Sequence, residues 1–340
     1  MKELLTSNLY CPFSSHINEY VDILEEYALE WVMRFNLLNN KSSYKHFCKS
    51  NFFLLAASAY PNCDLEELKI GNDWLSWVFI WDDQCDMSEF KKQPEALKLF
   101  QQRFMEILKG SEPTREDIPI NHALADLRQR TRERTSEKWF NYFLYCFEQY
   151  CHGCVEEAAI RAQGIVPDID TYMRCRRFSV GGYLFLTVSE FCNNYMLSDV
   201  LRNNEIVKKI EVITIDILAW CNDVFSASRE MDSGDVHNLV LVLHYLQQLP
   251  LNKAINHAAD MHNEKVKALI DLEASIPSFG EELDVELAKY ISIMHSWISG
   301  NLNWYSLTGR YETIEKLDLV NCEVHFQLSN KQISPFHLGA

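Results

Sequence analysis

Residues that break helices are scarce in this sequence, which has eleven glycines and nine prolines among its 340 residues. No proline lies between Asp168 and Leu249, and most of the prolines elsewhere are placed as boundaries between helical segments. The Asn-Gly and Asp-Gly pairs that are typical of β-hairpins are missing as well. These absences argue against a β fold and predict a nearly all-α protein.

The sequence also lacks an internal repeat or a linker that would divide it, and a chain of this length can bury a sizeable core. We therefore predict one α-helical domain over residues 1–326, followed by a poorly ordered tail over residues 327–340. Within this domain we expect one continuous helix from Tyr44 to Tyr60, which ends because Pro61 follows.

Basic residues are in deficit: 32 lysines and arginines stand against 48 acidic residues, so the net charge is −16. This balance argues against a nucleic acid or an anionic membrane as partner. No apolar run reaches the roughly 18 to 20 residues that span a bilayer, and the N-terminus lacks the apolar segment of a signal peptide. We expect no stable membrane insertion, and an anionic ligand would bind only through a metal ion or a local cluster of arginines.

Cysteine, in contrast, is frequent, with eleven residues in no framework spacing. An odd number of scattered cysteines predicts reduced thiols and a cytoplasmic location. Cys151 and Cys154 form a lone C-x-x-C, without the second pair that would complete a zinc site. We expect both to pack in the core.

Residues from Ile206 to Glu230 predict a central helix. Apolar residues recur at steps of three and four along one face, and a second apolar face ends in Asn222, Ser226 and Glu230. These three side chains are spaced i, i+4 and i+8, so their oxygen atoms can converge on one hard cation. Arg229 lies beside them and is available to an anion that the cation holds.

A second helix is predicted from Leu65 to about Met87. Its apolar face also ends in carboxylates. Asp82 and Asp86 share the face of Phe79, and Asp83 lies to one side. Acidic side chains are unfavourable at the C-terminal end of a helix dipole unless cations compensate them. We therefore interpret the three aspartates as metal ligands rather than as a solvated helix end.

Two further basic elements could bind the anion. Arg176 and Arg177 precede Gly181-Gly182, and two glycines inside a helix cost about 1 kcal/mol each, so the pair indicates a break or a kink. A solvated basic face is the alternative for these arginines. Arg310 and Tyr311 lie just past the last long helix, where a guanidinium and a phenol can close over a phosphate.

Together these groups indicate a ligand with a diphosphate and a hydrocarbon tail. Mg²⁺ is typically held by one or two carboxylates together with phosphate oxygens, and the remaining wall of the predicted cavity is aromatic and aliphatic. Metal ions and arginines could remove the diphosphate and leave an allylic cation in a dry pocket. The faces of Phe79 and Trp304 could then stabilise the positive charge by cation–π contact, by about 0.5 to 2 kcal/mol each.

The motifs resemble those of the class I terpene synthases, in particular the single-domain microbial cyclases. Residues 82–86 (DDQCD) resemble the aspartate-rich DDxxD motif, and residues 222–230 (NDVFSASRE) resemble the NSE triad with its basic residue in place. Arg310-Tyr311 is similar to the C-terminal RY pair. The four motifs, including the one described next, occur in the order that the family has.

The fourth motif is residues 176–182 (RRFSVGG). Arg177 resembles the diphosphate-sensor arginine of the family, with Val180 and Gly181 at the linker and effector positions. Arg176 is an adjacent candidate for the sensor, but the spacing to Gly181 favours Arg177.

The resemblance implies an α-helical bundle around a central hydrophobic cavity, in which three Mg²⁺ ions assemble with the diphosphate of a prenyl diphosphate. It implies that two of the ions are held by Asp82 with Asp83 or Asp86, and the third by Asn222, Ser226 and Glu230. The residues that would bind the diphosphate and trigger ionisation are Arg177, Arg229, Arg310 and Tyr311.

Farnesyl diphosphate is the expected substrate, with geranylgeranyl diphosphate next. The final base would be the released diphosphate or a carbonyl group near Gly181. An elongating prenyl diphosphate synthase is the nearest alternative, although such enzymes carry two aspartate-rich motifs, and a non-enzymatic helical scaffold protein is the other. A homodimer is one assembly that the sequence leaves open.

Overall fold

The chain folds into helices throughout the part that the structure, a computed structural model, describes: residues 5, 8–38, 40–86 and 88–311, without the side chains of Asp86 and Glu89. These ranges contain no β-strand, and a short 3₁₀ helix spans Glu89–Lys92. The helices are α1 (Val21–Arg34), α2 (Lys41–Ser50), α3 (Phe52–Ala59), α4 (Leu65–Asp86), α5 (Pro94–Leu108), α6 (Pro119–Arg132), α7 (Glu137–Gln163), α8 (Ile169–Ser179), α9 (Gly182–Cys192), α10 (Asp199–Arg202), α11 (Glu205–Asp232), α12 (Leu239–Leu246), α13 (Leu251–Ala274) and α14 (Glu281–Leu307). The all-α prediction is confirmed, and the predicted tail over residues 327–340 lies outside the described residues.

Helix α11 is the central element. Every residue from Thr214 to Ala227 is buried except Asn222, which is half-buried. The helix packs against α8, α9, α12, α13 and α14, so both of its predicted apolar faces meet other helices. Asn204 caps its N-terminus by accepting a hydrogen bond from the backbone N–H of Ile206 at 2.9 Å.

The chain breaks between α8 and α9 at the two glycines, as the sequence predicted. Gly181 has φ +75°, a left-handed conformation that favours glycine. Gly182 allows α9 to approach α11 closely, because a Cβ atom there would lie 2.7 Å from Cγ1 of Ile215. The break therefore fixes the last turn of α8, which carries Arg176 and Arg177, beside α11.

The predicted continuous helix from Tyr44 to Tyr60 is wrong, because Asn51 adopts a left-handed conformation (φ 51°) that separates α2 from α3. The carbonyl groups that the break leaves unpaired accept hydrogen bonds from the end of α14. The carbonyl of Lys49 accepts from the backbone N–H of Gly309 at 2.7 Å, and that of Ser50 accepts from Thr308 Oγ1, also at 2.7 Å. These bonds anchor the segment that carries Arg310.

Most of the described cysteines are buried or half-buried. The ten described cysteines are free, and Cys151 and Cys154 both pack in the core or against it. In the part of the chain that the structure describes, no helix is long and apolar enough to cross a bilayer.

A buried histidine predicts how the stability of this fold depends on pH. His262 in α13 is 2% exposed, and its burial lowers the pKa of the ring to about 4. Because the unfolded chain binds this proton more tightly, His262 costs no stability above pH 6.5 and progressively more as the pH falls from 6.5 towards 4. The free energy of unfolding should fall between pH 7.5 and pH 5.0 in the parent protein. In His262→Gln this fall should be smaller than in the parent by about 2 kcal/mol, measured by urea denaturation.

The exposed His16 provides a matched control. We expect His16→Gln to keep the parental difference between the two pH values. Equal pH dependence in His262→Gln and the parent would show that the buried ring does not titrate as argued.

Candidate active site

The aspartates at the end of α4 are held by a buried arginine. Arg310, which is 2% exposed, donates from Nη2 to Oδ2 of Asp82 at 2.8 Å and to Oδ1 of Asp83 at 2.7 Å. Nε2 of His46, on α2, lies 3.1 Å from the other oxygen of Asp83. The side chain of Asp86, the third predicted ligand, lies outside the described residues.

These contacts keep Asp83 ionised. Burial works to raise its pKa, but the Arg310 guanidinium and the His46 ring outweigh burial and hold the pKa of Asp83 well below its ordinary value. Burial works to lower the pKa of Arg310, but the charge of Asp83 works against burial, and the pKa of the guanidinium lies well above its usual range. The cluster therefore holds two carboxylates and one guanidinium.

Asn222 on α11 has both ends of its amide bound. Its Oδ1 accepts a hydrogen bond from Nη2 of Arg176 at 2.6 Å, and its Nδ2 lies 2.6 Å from the hydroxyl of Tyr305 and 2.9 Å from that of Tyr311. Because a guanidinium can only donate, the amide oxygen must face Arg176. The two phenols are therefore acceptors that fix the orientation of this amide.

The other two members of the triad, Ser226 and Glu230, share a partner. Nδ2 of Asn238 lies 3.2 Å from Oγ of Ser226 and 2.8 Å from Oε2 of Glu230. The pKa of Glu230 is raised, mainly by burial and then by the nearby charges of Asp235 and Asp223.

Tyr311 joins the two acidic regions at one rim. Its hydroxyl lies 3.5 Å from Nη1 of Arg310, which holds the α4 aspartates, and 2.9 Å from Nδ2 of Asn222. The guanidinium of Arg229 lies 5.0 Å from the centre of the Tyr311 ring. Thus the structure brings the α4 aspartates, the α11 triad and the Arg-Tyr pair to the same end of the bundle.

The structure brings Arg176 into contact with the triad, whereas Arg177, the residue that the spacing to Gly181 favoured, has its described contacts elsewhere. Arg177 binds Asp216 through two hydrogen bonds, of 2.7 and 2.9 Å, and Lys265 lies 3.2 Å from the same carboxylate. Arg176 instead contacts Asn222 and binds Asp223 at 2.8 Å. The side chain of Arg177 is 30% exposed, against 12% for Arg176.

Val180 and Gly181 lie at the helix break behind these arginines. Val180 is half-buried and ends α8. The carbonyl of Gly181 accepts the first hydrogen bond of α9, from the backbone N–H of Phe185 at 3.0 Å. One lone pair of that carbonyl is therefore already used.

Of the two predicted aromatic wall residues, only Phe79 keeps exposed surface. Its ring stacks on Phe52 with centroids 4.4 Å apart, and the Arg310 guanidinium lies 4.5 Å from its centre. Trp304 packs nearby but is 1% exposed, and its indole N–H donates to the carbonyl of Ser50 at 2.8 Å. The prediction that Trp304 offers its face to a substrate is therefore corrected, because protein atoms surround the ring in this structure.

Sequence reasoning missed His46, Tyr305 and Asn238. Only Asn238 carried a signal, since an asparagine directly before the apolar run of α12 is a typical N-cap. His46 and Tyr305 reach the site through the packing of helices, which local patterns do not report.

The oxygen donors at this rim fit a hard divalent cation such as Mg²⁺. Aspartate and glutamate carboxylates, one amide oxygen and one hydroxyl are the ligand types that such ions prefer, and no sulfur or imidazole ligand is needed. No group of three His, Cys, Asp or Glu side chains that could hold a metal forms within the described ranges. The α11 triad does not count as such a group because Asn222 and Ser226 are neutral residues of other types. The α4 aspartates do not count because the side chain of Asp86 is not described.

Known proteins are similar to this chain over most of its length. A family model described as Terpene synthase family 2, C-terminal metal binding, matches residues 73–268. The chain is 61% identical over 319 residues to the germacrene A synthase of Nostoc punctiforme, covering 94% of this chain and 99% of that protein. It is 34% identical over 310 residues to the (+)-T-muurolol synthase of Roseiflexus castenholzii, covering 91% and 95%.

A solved structure shows the same fold. The germacradien-4-ol synthase from Streptomyces citricolor matches with a TM-score of 0.78 at 24% identity, over 88% of this chain and 98% of that one. The family model spans more than half of this chain and includes the α4 aspartates, Arg176 and the α11 triad. The chain therefore belongs to the microbial class I terpene synthases, a family of lyases that act on diphosphate esters.

Proposed function

We propose that the protein is a sesquiterpene synthase that cyclises farnesyl diphosphate and releases diphosphate. The observation that carries this proposal is the single rim at which Arg310 and Tyr311 join the α4 aspartates to Asn222. The substrate is supported by the Roseiflexus relative, which is named for cyclising (2E,6E)-farnesyl diphosphate. The 61% identity to a germacrene A synthase supports germacrene A as the product.

Three Mg²⁺ ions form part of the proposal. Two would be held by Asp82 with Asp83 or Asp86, and the third by Asn222, Ser226 and Glu230. When bound, the ions neutralise the charge that develops on the departing diphosphate. The paired acidic regions at one rim support this assignment, because each supplies only oxygen ligands.

The diphosphate would be bound by Arg176, Arg229, Arg310 and Tyr311, with Arg176 in the sensor role that the sequence assigned to Arg177. Arg310 is suited to this role because its Nε–H is buried and has no hydrogen-bond partner among the described residues. A buried donor without a partner is costly, so an anion at this point gains a strong charge-assisted bond. Arg176 lies at the same rim, where it donates a hydrogen bond to Asn222.

The hydrocarbon tail would lie beyond the rim. Phe79 keeps exposed surface beside Arg310, and its face could stabilise a carbocation by about 0.5 to 2 kcal/mol. The released diphosphate and the Gly181 carbonyl, which keeps one lone pair beside its hydrogen bond in α9, are the two candidates for the final base. One domain over residues 1–326, a cytoplasmic location and a homodimer stay predictions.

Product analysis tests this function. With Mg²⁺ and farnesyl diphosphate alone, gas chromatography–mass spectrometry should detect a cyclic C15 hydrocarbon, and EDTA should abolish it. Geranyl and geranylgeranyl diphosphate should be poorer substrates. Chain elongation on addition of isopentenyl diphosphate would identify a prenyl diphosphate synthase instead, and product from geranylgeranyl diphosphate alone would refute the C15 assignment.

A further inference from the structure

Asn238 lies at the junction between the triad on α11 and the first turn of α12. Its side chain is fully buried. The Oδ1 atom caps α12 by accepting hydrogen bonds from the backbone N–H groups of Val240 at 2.8 Å and Leu241 at 3.4 Å. The Nδ2 atom faces α11, where Ser226 and Glu230 lie.

The helix cap determines which end of the amide faces the triad. Backbone N–H groups can only donate, so the atom that caps α12 must be the amide oxygen. The amino group therefore points at three acceptors on α11: the carbonyl of Asp223 at 3.0 Å, Oγ of Ser226 at 3.2 Å and Oε2 of Glu230 at 2.8 Å. No flip of the amide satisfies both sets of partners.

A second contact fixes α12 against α11. Oδ2 of Asp223 accepts a hydrogen bond from the backbone N–H of Leu239 at 2.7 Å, and it also accepts one from the hydroxyl of Tyr172. The position of Asn238 relative to Ser226 and Glu230 therefore depends on the packing of two helices rather than on a loop. Sites held by such elements are positioned more accurately than sites on loops.

We propose that Asn238 is a positioning residue that presents Ser226 and Glu230 to a divalent cation. This inference rests on the proposed function. The amide has two N–H groups: Glu230 Oε2 lies nearest to Nδ2, at 2.8 Å, and Ser226 Oγ shares the remaining donor with the carbonyl of Asp223. The other carboxylate oxygen of Glu230 and a lone pair of the Ser226 hydroxyl are then left for the metal. Groups that orient metal ligands in this way typically change metal affinity by 10- to 100-fold when they are replaced.

Asn238→Ser separates this role from the helix cap. Serine is as good an N-cap as asparagine, but its side chain is too short to cap α12 and also reach Glu230. We expect the variant to bind Mn²⁺, in the presence of inorganic diphosphate, about 10- to 100-fold more weakly than the parent, measured by electron paramagnetic resonance. Its turnover should need a correspondingly higher Mg²⁺ concentration and recover when Mg²⁺ is raised.

Asn204→Ser is the matched control, because it makes the same exchange at the N-cap of α11, at the other end of that helix from Glu230. It should bind Mn²⁺ like the parent, while both serine variants should melt within a few degrees of each other without metal. Asn238→Thr is a second variant that keeps a cap oxygen and lacks the amide donor, and it should bind Mn²⁺ about as weakly as Asn238→Ser.

The outcomes separate the inference from the proposed function. A parent that binds Mn²⁺ with diphosphate, together with Asn238 variants of unchanged affinity, would overturn the positioning role alone. A parent that binds no Mn²⁺ in the presence of diphosphate would overturn the proposed function itself.

Discussion

Arg176→Ala should lower kcat for farnesyl diphosphate by about a hundred- to a thousandfold, whereas Arg177→Ala should keep it within about tenfold of the parent. The first substitution removes a buried cation whose donors reach Asn222 at the rim. Loss of one such donor to a developing anion typically has an effect of this size. The second removes a half-exposed cation whose described hydrogen bonds go to Asp216.

The fold of the Arg176 variant needs a separate measurement. Among the described residues, its removal leaves the buried Asp223 with two neutral donors, the Tyr172 hydroxyl and the Leu239 N–H, and such a loss can cost about 3 to 5 kcal/mol. Arg176→Lys keeps the charge but not the forked donors, so it should fold and still lose at least about tenfold in kcat. Single-turnover rates and thermal unfolding would be measured together. A larger loss of rate in Arg177→Ala than in Arg176→Lys would contradict the assignment.

The arginine pair shows where sequence reasoning stopped. Neighbouring residues on a helix point about 100° apart, so Arg176 and Arg177 cannot both face the triad. Which of them does so depends on how α8 rotates against α11, and Asp216, the partner of Arg177, lies on that other helix. The local spacing to Gly181 carried no information about this contact.

The helices themselves could be predicted because their signals are local. The periodic apolar faces of α4 and α11 indicated both helices and the ends at which oxygen ligands collect. The break at Asn51 could not be predicted from local sequence. The backbone carbonyl groups beside it accept hydrogen bonds from residues near the far end of the chain, such as Thr308. The same long-range packing buries Trp304, which the sequence placed on the cavity wall.

Asn222→Ala should reduce turnover of farnesyl diphosphate by at least about a thousandfold, which is close to complete loss. The substitution removes an oxygen ligand of the proposed third metal and the acceptor of Arg176 in one step. The fold should survive with a loss of about 1 to 2 kcal/mol. Arg176 keeps Asp223 at 2.8 Å, and the hydroxyls of Tyr305 and Tyr311, 3.5 Å apart, can bind each other.

Tyr305→Phe distinguishes the ligand from the groups that orient it. This variant keeps the amide oxygen and removes one of two phenol acceptors, so Tyr311 still holds Nδ2 of Asn222 at 2.9 Å. We expect a loss of tenfold or less in kcat and a parental number of Mn²⁺ ions bound with diphosphate, whereas Asn222→Ala should bind one ion fewer. If both variants lost activity equally while binding the same number of ions, Asn222 would act by packing. The third metal site would then have to be built from Ser226 and Glu230 without it.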